Sequence, residues 1–419
     1  VTQQLVGLLG AESEEVRKRA GVALREMAAE GGDESQKASA MAGGVSPLVS
    51  LLKDGLKDER LEAQEYALWS LSLVTDAMNR GVMVREGTVQ CLVQCLVNGQ
   101  LSMLAQEHAS CVLTNLARDA TVHDEIVQSG AIAPLVQLLH GSSSVGARKH
   151  AAIGLERLAL TSAATQVLIA DAGAIPLLLA WLSTPDHRGL SGRPTGLPDL
   201  AARALDAVAS ANASTSAQVV EAGVAAPLVA MLATGKSAES QRCAAGLLAT
   251  LAEMNEGVGK TIASEGGIPA LVELLVMPRT SPHENATRAL WHLAGDPDNQ
   301  AAVAKAGGVL PLVALLESGS DATKQHAAAA VEALAKDSVD NQLALAKAKA
   351  IPPLVELLAS ESAETQEHAK AALLHLASEV AEERKEGEVP KPPSDTKAAI
   401  AVIRRIVAVL DSRNASAQM

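Results

Sequence analysis

The chain has 419 residues, a net charge of −13, 48% apolar residues and four Cys. The negative charge argues against a general binder of nucleic acid or of anionic membranes. Four Cys are too few for a disulfide framework, which favours a reducing compartment, the cytoplasm or alternatively the nucleus. The sequence lacks any run of 18 apolar residues, so we predict no transmembrane segment.

One segment recurs along the chain in nearly the same form. It reads GAIAPLVQLLH at 130–140, and the steps between successive copies are 41 to 50 residues. Such a period indicates a stacked helical solenoid, in which each repeat contacts mainly its neighbours. The copies begin at Gly43, Gly87, Gly130, Gly173, Gly223, Gly266, Gly307 and Lys349.

Each repeat is predicted to contain three helices. Gly130 suits the left-handed position that follows a short helix. Pro134 suits the first turn of the next helix, where its missing N–H costs nothing. A third, longer helix is predicted from Lys149 to Leu160, after a polar loop. The apolar face of the second helix consists of Leu135, Val136, Leu138 and Leu139.

In chain order, residues 1–29 are predicted to form a truncated first repeat, and the array of about nine repeats ends at residue 379. Residues 184–199 are a Pro- and Gly-rich insertion, either a mobile surface loop or a loop that carries function. Residues 380–395 form a charged linker with prolines. Residues 396–419 are predicted to form a capping helix and tail. A helix that binds a partner or a membrane surface, with Arg404 and Arg405 as its basic pair, is the alternative.

Two motifs that suggest small-molecule or metal sites fall on ordinary repeat positions. GVGKT at 257–261 follows a helix and lacks the first glycine of a phosphate-binding loop. Four residues of one repeat have spacings that suggest zinc, but Cys91 and Cys95 occupy positions of the second helix that are structural in other repeats. That group is Cys91, Cys95, His108 and Cys111.

A histidine recurs at one third-helix position in four repeats. Neighbouring copies of this position are predicted to lie too far apart to share a metal ion. These histidines are His108, His150, His326 and His368. The sequence therefore predicts no catalytic residue, no cofactor and no bound metal.

The recurring glycine, the PLVxLL helix and the AAxxLxxLA helix resemble armadillo repeats, and the resemblance covers nearly the whole chain. It implies an all-α, right-handed superhelical solenoid whose third helices line a concave groove for extended segments of partner proteins. Importin alpha subunits build this groove with Trp and, four residues later, Asn. Here Asn115 alone occupies the Asn position, and the Trp position holds no Trp. Trp69 and Trp291, in ALWSLS and ALWHLA, are more similar to catenin-like and to plant or vacuolar armadillo proteins.

The resemblance implies a non-enzymatic scaffold or adaptor that binds a protein partner and is itself monomeric. A nuclear-import adaptor of the importin alpha type is one alternative. It is disfavoured because the repeated Trp and Asn positions of importin alpha are not filled here. The substrate-binding portion of a ubiquitin ligase, with a catalytic domain upstream of Val1, is another.

Basic residues of the third helices suggest what the groove binds. Lys149, Arg157, Arg203, Arg242 and Arg288 are predicted to form a basic strip, which favours an acidic or phosphorylated segment. Solvated side chains and local ion pairs are the alternative. The full set of groove candidates is Tyr66, Trp69, Asn115, Lys149, Arg157, Arg203, Arg242, Arg288, Trp291 and His292.

Overall fold

The computed structural model describes residues between 2 and 378, with its longest gaps at 27–43 and 184–195 and shorter ones elsewhere. The predicted linker at 380–395, the capping helix and tail at 396–419 and most of the insertion at 184–199 lie outside the described residues. The chain folds as two compact units, unit 1 up to Ala222 and unit 2 from Gly223.

Unit 1 is helical throughout its described elements. The helices are α1 (Thr2–Leu8), α2 (Val45–Lys57), α3 (Leu61–Val74), α4 (Ala77–Arg85), α5 (Thr88–Val97), α6 (Met103–Leu116), α7 (His123–Gln128), α8 (Ile132–Leu138), α9 (Val145–Ala159), α10 (Ala163–Asp171), α11 (Ala174–Leu182), α12 (Leu197–Ala209) and α13 (Ala213–Glu221).

Unit 2 continues the same order of helices. They are α14 (Ala225–Leu232), α15 (Ala238–Met254), α16 (Val258–Ser264), α17 (Gly267–Leu275), α18 (His283–Leu293), α19 (Pro297–Lys305), α20 (Val309–Ser318), α21 (Asp321–Ala335), α22 (Val339–Lys347), α23 (Ile351–Leu357) and α24 (Ala363–Ser378).

A repeat consists of a short first helix, a second helix and a longer third helix, as in α7, α8 and α9. The predicted three helices per repeat are thereby confirmed. Third helices pack on each other from repeat to repeat, as α6 does on α9 in unit 1 and α18 on α21 in unit 2. Ser144, which begins the third helix α9, accepts a hydrogen bond from the Ala147 amide and so satisfies a free helix N–H.

A left-handed residue joins the first helix to the second. Gly130 has φ +79°, the conformation that its position in the repeat predicts, because a Cβ would be strained there. The chain bends by 80° at the corner between α10 and α11 in unit 1, and by 84° at the corner between α19 and α20 in unit 2. Lys349 adopts φ +62° at the equivalent corner of the last repeat. The glycines with this conformation at the corner are Gly87, Gly130, Gly173, Gly223, Gly266 and Gly307.

Close packing of small residues and hydrogen bonds from side chains to the backbone hold successive helices together. Ala151 and Ala152 in α9 are fully buried, because a methyl side chain lets neighbouring helices approach closely. Amides of the first helices bind carbonyls near the end of a preceding third helix. Asn299 donates to the Leu293 carbonyl at 3.0 Å, and Asn341 to the Leu334 carbonyl at 3.1 Å. These bonds satisfy carbonyls that a helix end leaves free.

Candidate functional site

The exposed faces of the third helices form the candidate surface, which we call the third-helix surface. In unit 1 it is built from α3, α6, α9 and α12, which contact one another in that order. In unit 2 it is built from α15, α18, α21 and α24, again in contact in order. Tyr66 and Trp69 begin the surface on α3; both are half-buried, and their ring centroids lie 6.5 Å apart at a tilt of 52°.

Asn115 lies on α6 and is half-buried. Its amide donates to the Cys111 sulfur at 3.6 Å within the same helix. This contact lies within one helix. The one residue that matches the Asn position of importin alpha therefore has its amide bound by a residue one turn earlier.

Arg157 on α9 reaches back to the preceding third helix. Its Nη1 donates to the Thr114 carbonyl of α6, one of the carbonyls that the end of that helix leaves without a helical partner. The pKa of Arg157 is lowered, first by burial and then by the nearby positive charge of Arg118. Arg157 therefore links two repeats by a hydrogen bond. Its positive charge is half-buried within the third-helix surface.

Arg203 and Lys149 complete the predicted strip in unit 1. The Arg203 Nη2 lies 2.6 Å from the Glu156 Oε1, and the Arg203 side chain keeps 41% of its exposure while that of Glu156 keeps 14%. The second carboxylate oxygen of Glu156 is buried and has no partner among the described residues. Lys149 is half-buried, and its charge lowers the pKa of the adjacent His150, for which burial is the larger cause.

Two arginines that the repeat pattern did not select lie near Arg157. Arg118 follows α6 and is exposed, and its side chain makes no hydrogen bond or ion pair with the other described residues. Arg80 in the first helix α4 is half-buried, and its Nε has no partner in the described part of the chain. The charges of Arg118, Arg203 and Arg80 all act on Arg157, with Glu156 as the opposing charge. We call Arg80, Arg118, Arg157 and Arg203 the arginine cluster.

The predicted strip residues of unit 2 bind within their own unit. Arg242 forms an ion pair with Glu239 at 2.6 Å, one turn away on the same helix. Arg288 donates from Nη2 to the Gly246 carbonyl and to the Thr250 hydroxyl, each at 3.2 Å. These are the local contacts that the alternative interpretation expects. Whether these arginines also bind a ligand stays a prediction.

Trp291 forms the centre of an aromatic group. The imidazole of His292 stacks on its ring at 4.3 Å between centroids. His326 lies nearly parallel to it at 6.0 Å, and His368 meets it edge-on at 5.3 Å. We call these four residues the Trp291 cluster. Two histidines that the sequence assigned to repeat consensus positions thus share one indole.

The four residues whose spacings suggest zinc lie in the core or at its edge. Cys91 and Cys95 are buried in α5, and the Cys95 thiol donates to the Gln64 side chain at 3.8 Å. Burial and the neighbouring Cys91 raise the pKa of Cys95 to about 12, so it stays a protonated thiol. The described residues contain no group of three or more His, Cys, Asp or Glu side chains arranged to hold a metal ion.

Within the described ranges, no single helix is long and apolar enough to cross a membrane. Three helix pairs meet the criteria of length and composition only when taken together, and each pair is bent by 80° or more at its corner.

Comparisons with known proteins support the repeat interpretation. The family described as Armadillo/beta-catenin-like repeat matches residues 296–336 and 338–378. An engineered protein of known crystal structure is 30% identical to this chain, with a TM-score of 0.80, and the match covers 96% of this chain and 92% of that one. Among curated proteins, none matches the chain.

Two designed proteins carry the family name. A designed armadillo repeat protein is 26% identical over 58% of this chain and 99% of its own, with a TM-score of 0.53. Another, in complex with the peptide (KR)4, is 25% identical over 58% of this chain and 99% of its own, with a TM-score of 0.51. The repeat sequence, the three-helix fold and these similarities together show that the chain belongs to the armadillo repeat family.

Proposed function

We propose that the chain is a non-enzymatic scaffold or adaptor that binds extended segments of partner proteins on its third-helix surfaces. The armadillo fold is known for protein binding, and one similar designed protein is in complex with a peptide. The third helices in each unit pack in order along the repeats, so an extended segment laid across them meets one helix after another. Its side chains then meet side chains of the same repeat position at each step.

The arginine cluster is the observation that carries the choice of ligand in unit 1. Arg157 is already desolvated, and Arg118 is exposed with no ion-pair partner in the described part of the chain. Glu156, the acidic residue that acts on Arg157, is paired with Arg203, and Asp119 interacts with Arg80. Two carboxylates accompany the four arginines, so an acidic or phosphorylated segment would add negative charge where positive charge is in excess, and guanidinium groups bind carboxylate and phosphate in a bidentate manner.

A basic segment is the second candidate, for unit 2. The similar designed protein is in complex with (KR)4. In unit 2 both strip arginines are engaged within the unit, whereas Glu253 is 51% exposed and Glu284 is exposed. This balance of charge suits a positively charged segment better than an acidic one.

A peptide titration separates the two candidates. Fluorescently labelled acidic, phosphorylated and basic peptides are titrated with the protein, and binding is followed by anisotropy. We expect the acidic and phosphorylated peptides to bind, and Arg118→Glu to weaken them roughly 10- to 100-fold, because a charge-assisted hydrogen bond contributes about 1.5–3 kcal/mol. Added salt should weaken the same complexes.

Arg85→Glu is the matched control, since Arg85 is an exposed arginine at the end of a first helix. It should leave binding unchanged. If neither Arg118→Glu nor Arg203→Gln changed the affinity for the acidic and phosphorylated peptides, the proposal of an acidic ligand would be wrong. Binding of basic peptides alone, sensitive to Glu253→Gln, would replace it with the second candidate.

A further inference from the structure

The Trp291 cluster joins three successive repeats. Trp291 and His292 lie in the last turn of the third helix α18, His326 belongs to α21 and His368 to α24. The indole is within 6.0 Å of an imidazole from each of the next two third helices. Repeats of a solenoid otherwise contact mainly their immediate neighbours. A side chain that reaches the repeat after next therefore adds a link that nearest-neighbour packing does not supply.

Charged groups surround the cluster on all four third helices of unit 2. From α15, the Glu253 carboxylate lies 3.7 Å from the His292 Nε2. From α21, the Glu332 carboxylate lies 2.7 Å from the His368 Nδ1. Helix α18 contributes Arg288 and Glu284, and both act on His326. Helices α21 and α24 also carry Asp321, Lys324, Glu364, Glu367, Lys370 and His375.

His326 occupies the least favourable place for a positive charge. Its Nδ1 is buried and has no hydrogen-bond partner among the described residues. A proton on this nitrogen would lack an acceptor, and a buried charge without a partner is costly. Arg288 and a protonated His368 would both repel it.

We propose that the Trp291 cluster is a proton-sensitive clasp, which holds α18, α21 and α24 together while its imidazoles are neutral and loosens when they take up protons. The clasp goes beyond the proposed function and does not depend on it, since it needs no partner. Its physical basis is the repulsion that protonated His292 and His326 would experience from each other and from Arg288. Glu253 and Glu332 lie within ion-pair distance of His292 and His368, whereas His326 has no such partner among the described residues, and Glu284 and Glu253 only partly offset its burial and the charge of Arg288.

The pKa values of His292 and His326 are shifted in the direction that the clasp requires. Burial is the largest cause that lowers the pKa of His292 and of His326, and Arg288 lowers both further. Glu253 partly opposes the shift of His292, and Glu284 and Glu253 partly oppose that of His326. A histidine with a folded pKa below its unfolded value contributes stability that is fully present above the unfolded pKa, about 6.5. That stability is lost as the pH falls from 6.5 through the lowered folded pKa.

Hydrogen exchange across a pH series tests the clasp on the wild-type chain. Protection factors, which correct for the intrinsic pH dependence of exchange, are measured for α18, α21 and α24 between about pH 7.5 and pH 5, a range that brackets the unfolded histidine pKa. We expect protection of α21 to fall on acidification. Each unit by which a histidine pKa is lowered corresponds to about a tenfold loss of protection.

Two substitutions assign the effect to the cluster. His326→Gln should remove most of the pH dependence in α21, whereas His140→Gln, at an exposed position in unit 1, should retain it. Tryptophan fluorescence gives a second measurement. A protonated imidazole quenches a neighbouring indole, so we expect the fluorescence of the wild-type chain to fall on acidification, and the part of this fall that is due to Trp291 should be absent in Trp291→Phe. The wild-type experiment needs no substitution, so constant or rising protection of residues 321–335 on acidification overturns the proposal even if a variant fails to fold. Equal pH dependence in wild type and His326→Gln overturns it as well.

Discussion

Replacing Leu138 by Ala tests the packing on which the repeat depends. Leu138 ends the second helix α8 and is 6% exposed. Helix α8 contacts α9 of its own repeat, α5 of the preceding repeat and α10 of the next, so the site is enclosed by helices on several sides. Losing about three methylene groups forfeits roughly 2.4 kcal/mol of transfer free energy. The cavity left between packed helices brings the expected loss to about 2–5 kcal/mol.

The free energy of unfolding is measured by urea titration followed by far-UV circular dichroism. Leu160→Ala is the matched control, because Leu160 follows the third helix α9 and is 66% exposed. It should change the free energy by no more than about 0.5 kcal/mol. Equal losses for the two variants, or no loss for Leu138→Ala, would refute the enclosed position of Leu138.

Three further predictions concern other parts of the chain. Gly267→Ala should lower the free energy of unfolding by about 1–3 kcal/mol in the same assay, since its Cβ would lie 2.5 Å from the Ile262 Cγ2. Burial lowers the pKa of His108 and His150, so stability should decrease as the pH falls below their unfolded value of about 6.5, and thermal melts of His150→Gln should show less of this decrease. Elemental analysis of purified protein should find no stoichiometric zinc, and a zinc ion lost on Cys91→Ser would contradict this.

The helices and corners could be predicted because their signals are local. The third helix predicted from Lys149 to Leu160 is observed from Val145 to Ala159. Its start depends on a serine cap, and Gly130 has the predicted left-handed backbone. Both features are set by a few adjacent residues, so the sequence reveals them without knowledge of the packing.

The roles of the surface side chains could not be predicted in the same way. Ligand binding by Arg157 and Arg288 stays a prediction, but the sequence gives no sign that each also donates to a backbone carbonyl of the preceding third helix. That choice depends on how closely two repeats approach, which the spacing of residues within a repeat does not give. Arg80 was missed because it lies in a first helix, outside the positions compared from repeat to repeat.

The Trp291 cluster did leave a signal in the sequence. A Trp one residue before the Asn position is followed by a histidine at the same third-helix position in each of the next two repeats. The pattern occurs twice, at Trp69 with His108 and His150 and at Trp291 with His326 and His368. Histidine rings that are too far apart to share a metal ion can still contact one large indole.

The ordered packing of third helices within each unit has a consequence for how such a chain can change length. Each third helix contacts the next one along its unit, so a duplicated repeat inserted between two others would pack through the same kind of contact on both sides. Packed helices lie roughly 8–10 Å apart, whereas an extended chain advances about 3.3–3.6 Å per residue. Gain or loss of one repeat would then lengthen or shorten the partner segment covered by about two to three residues. Binding length becomes a quantity that gene duplication alters in discrete steps, without redesign of any existing contact.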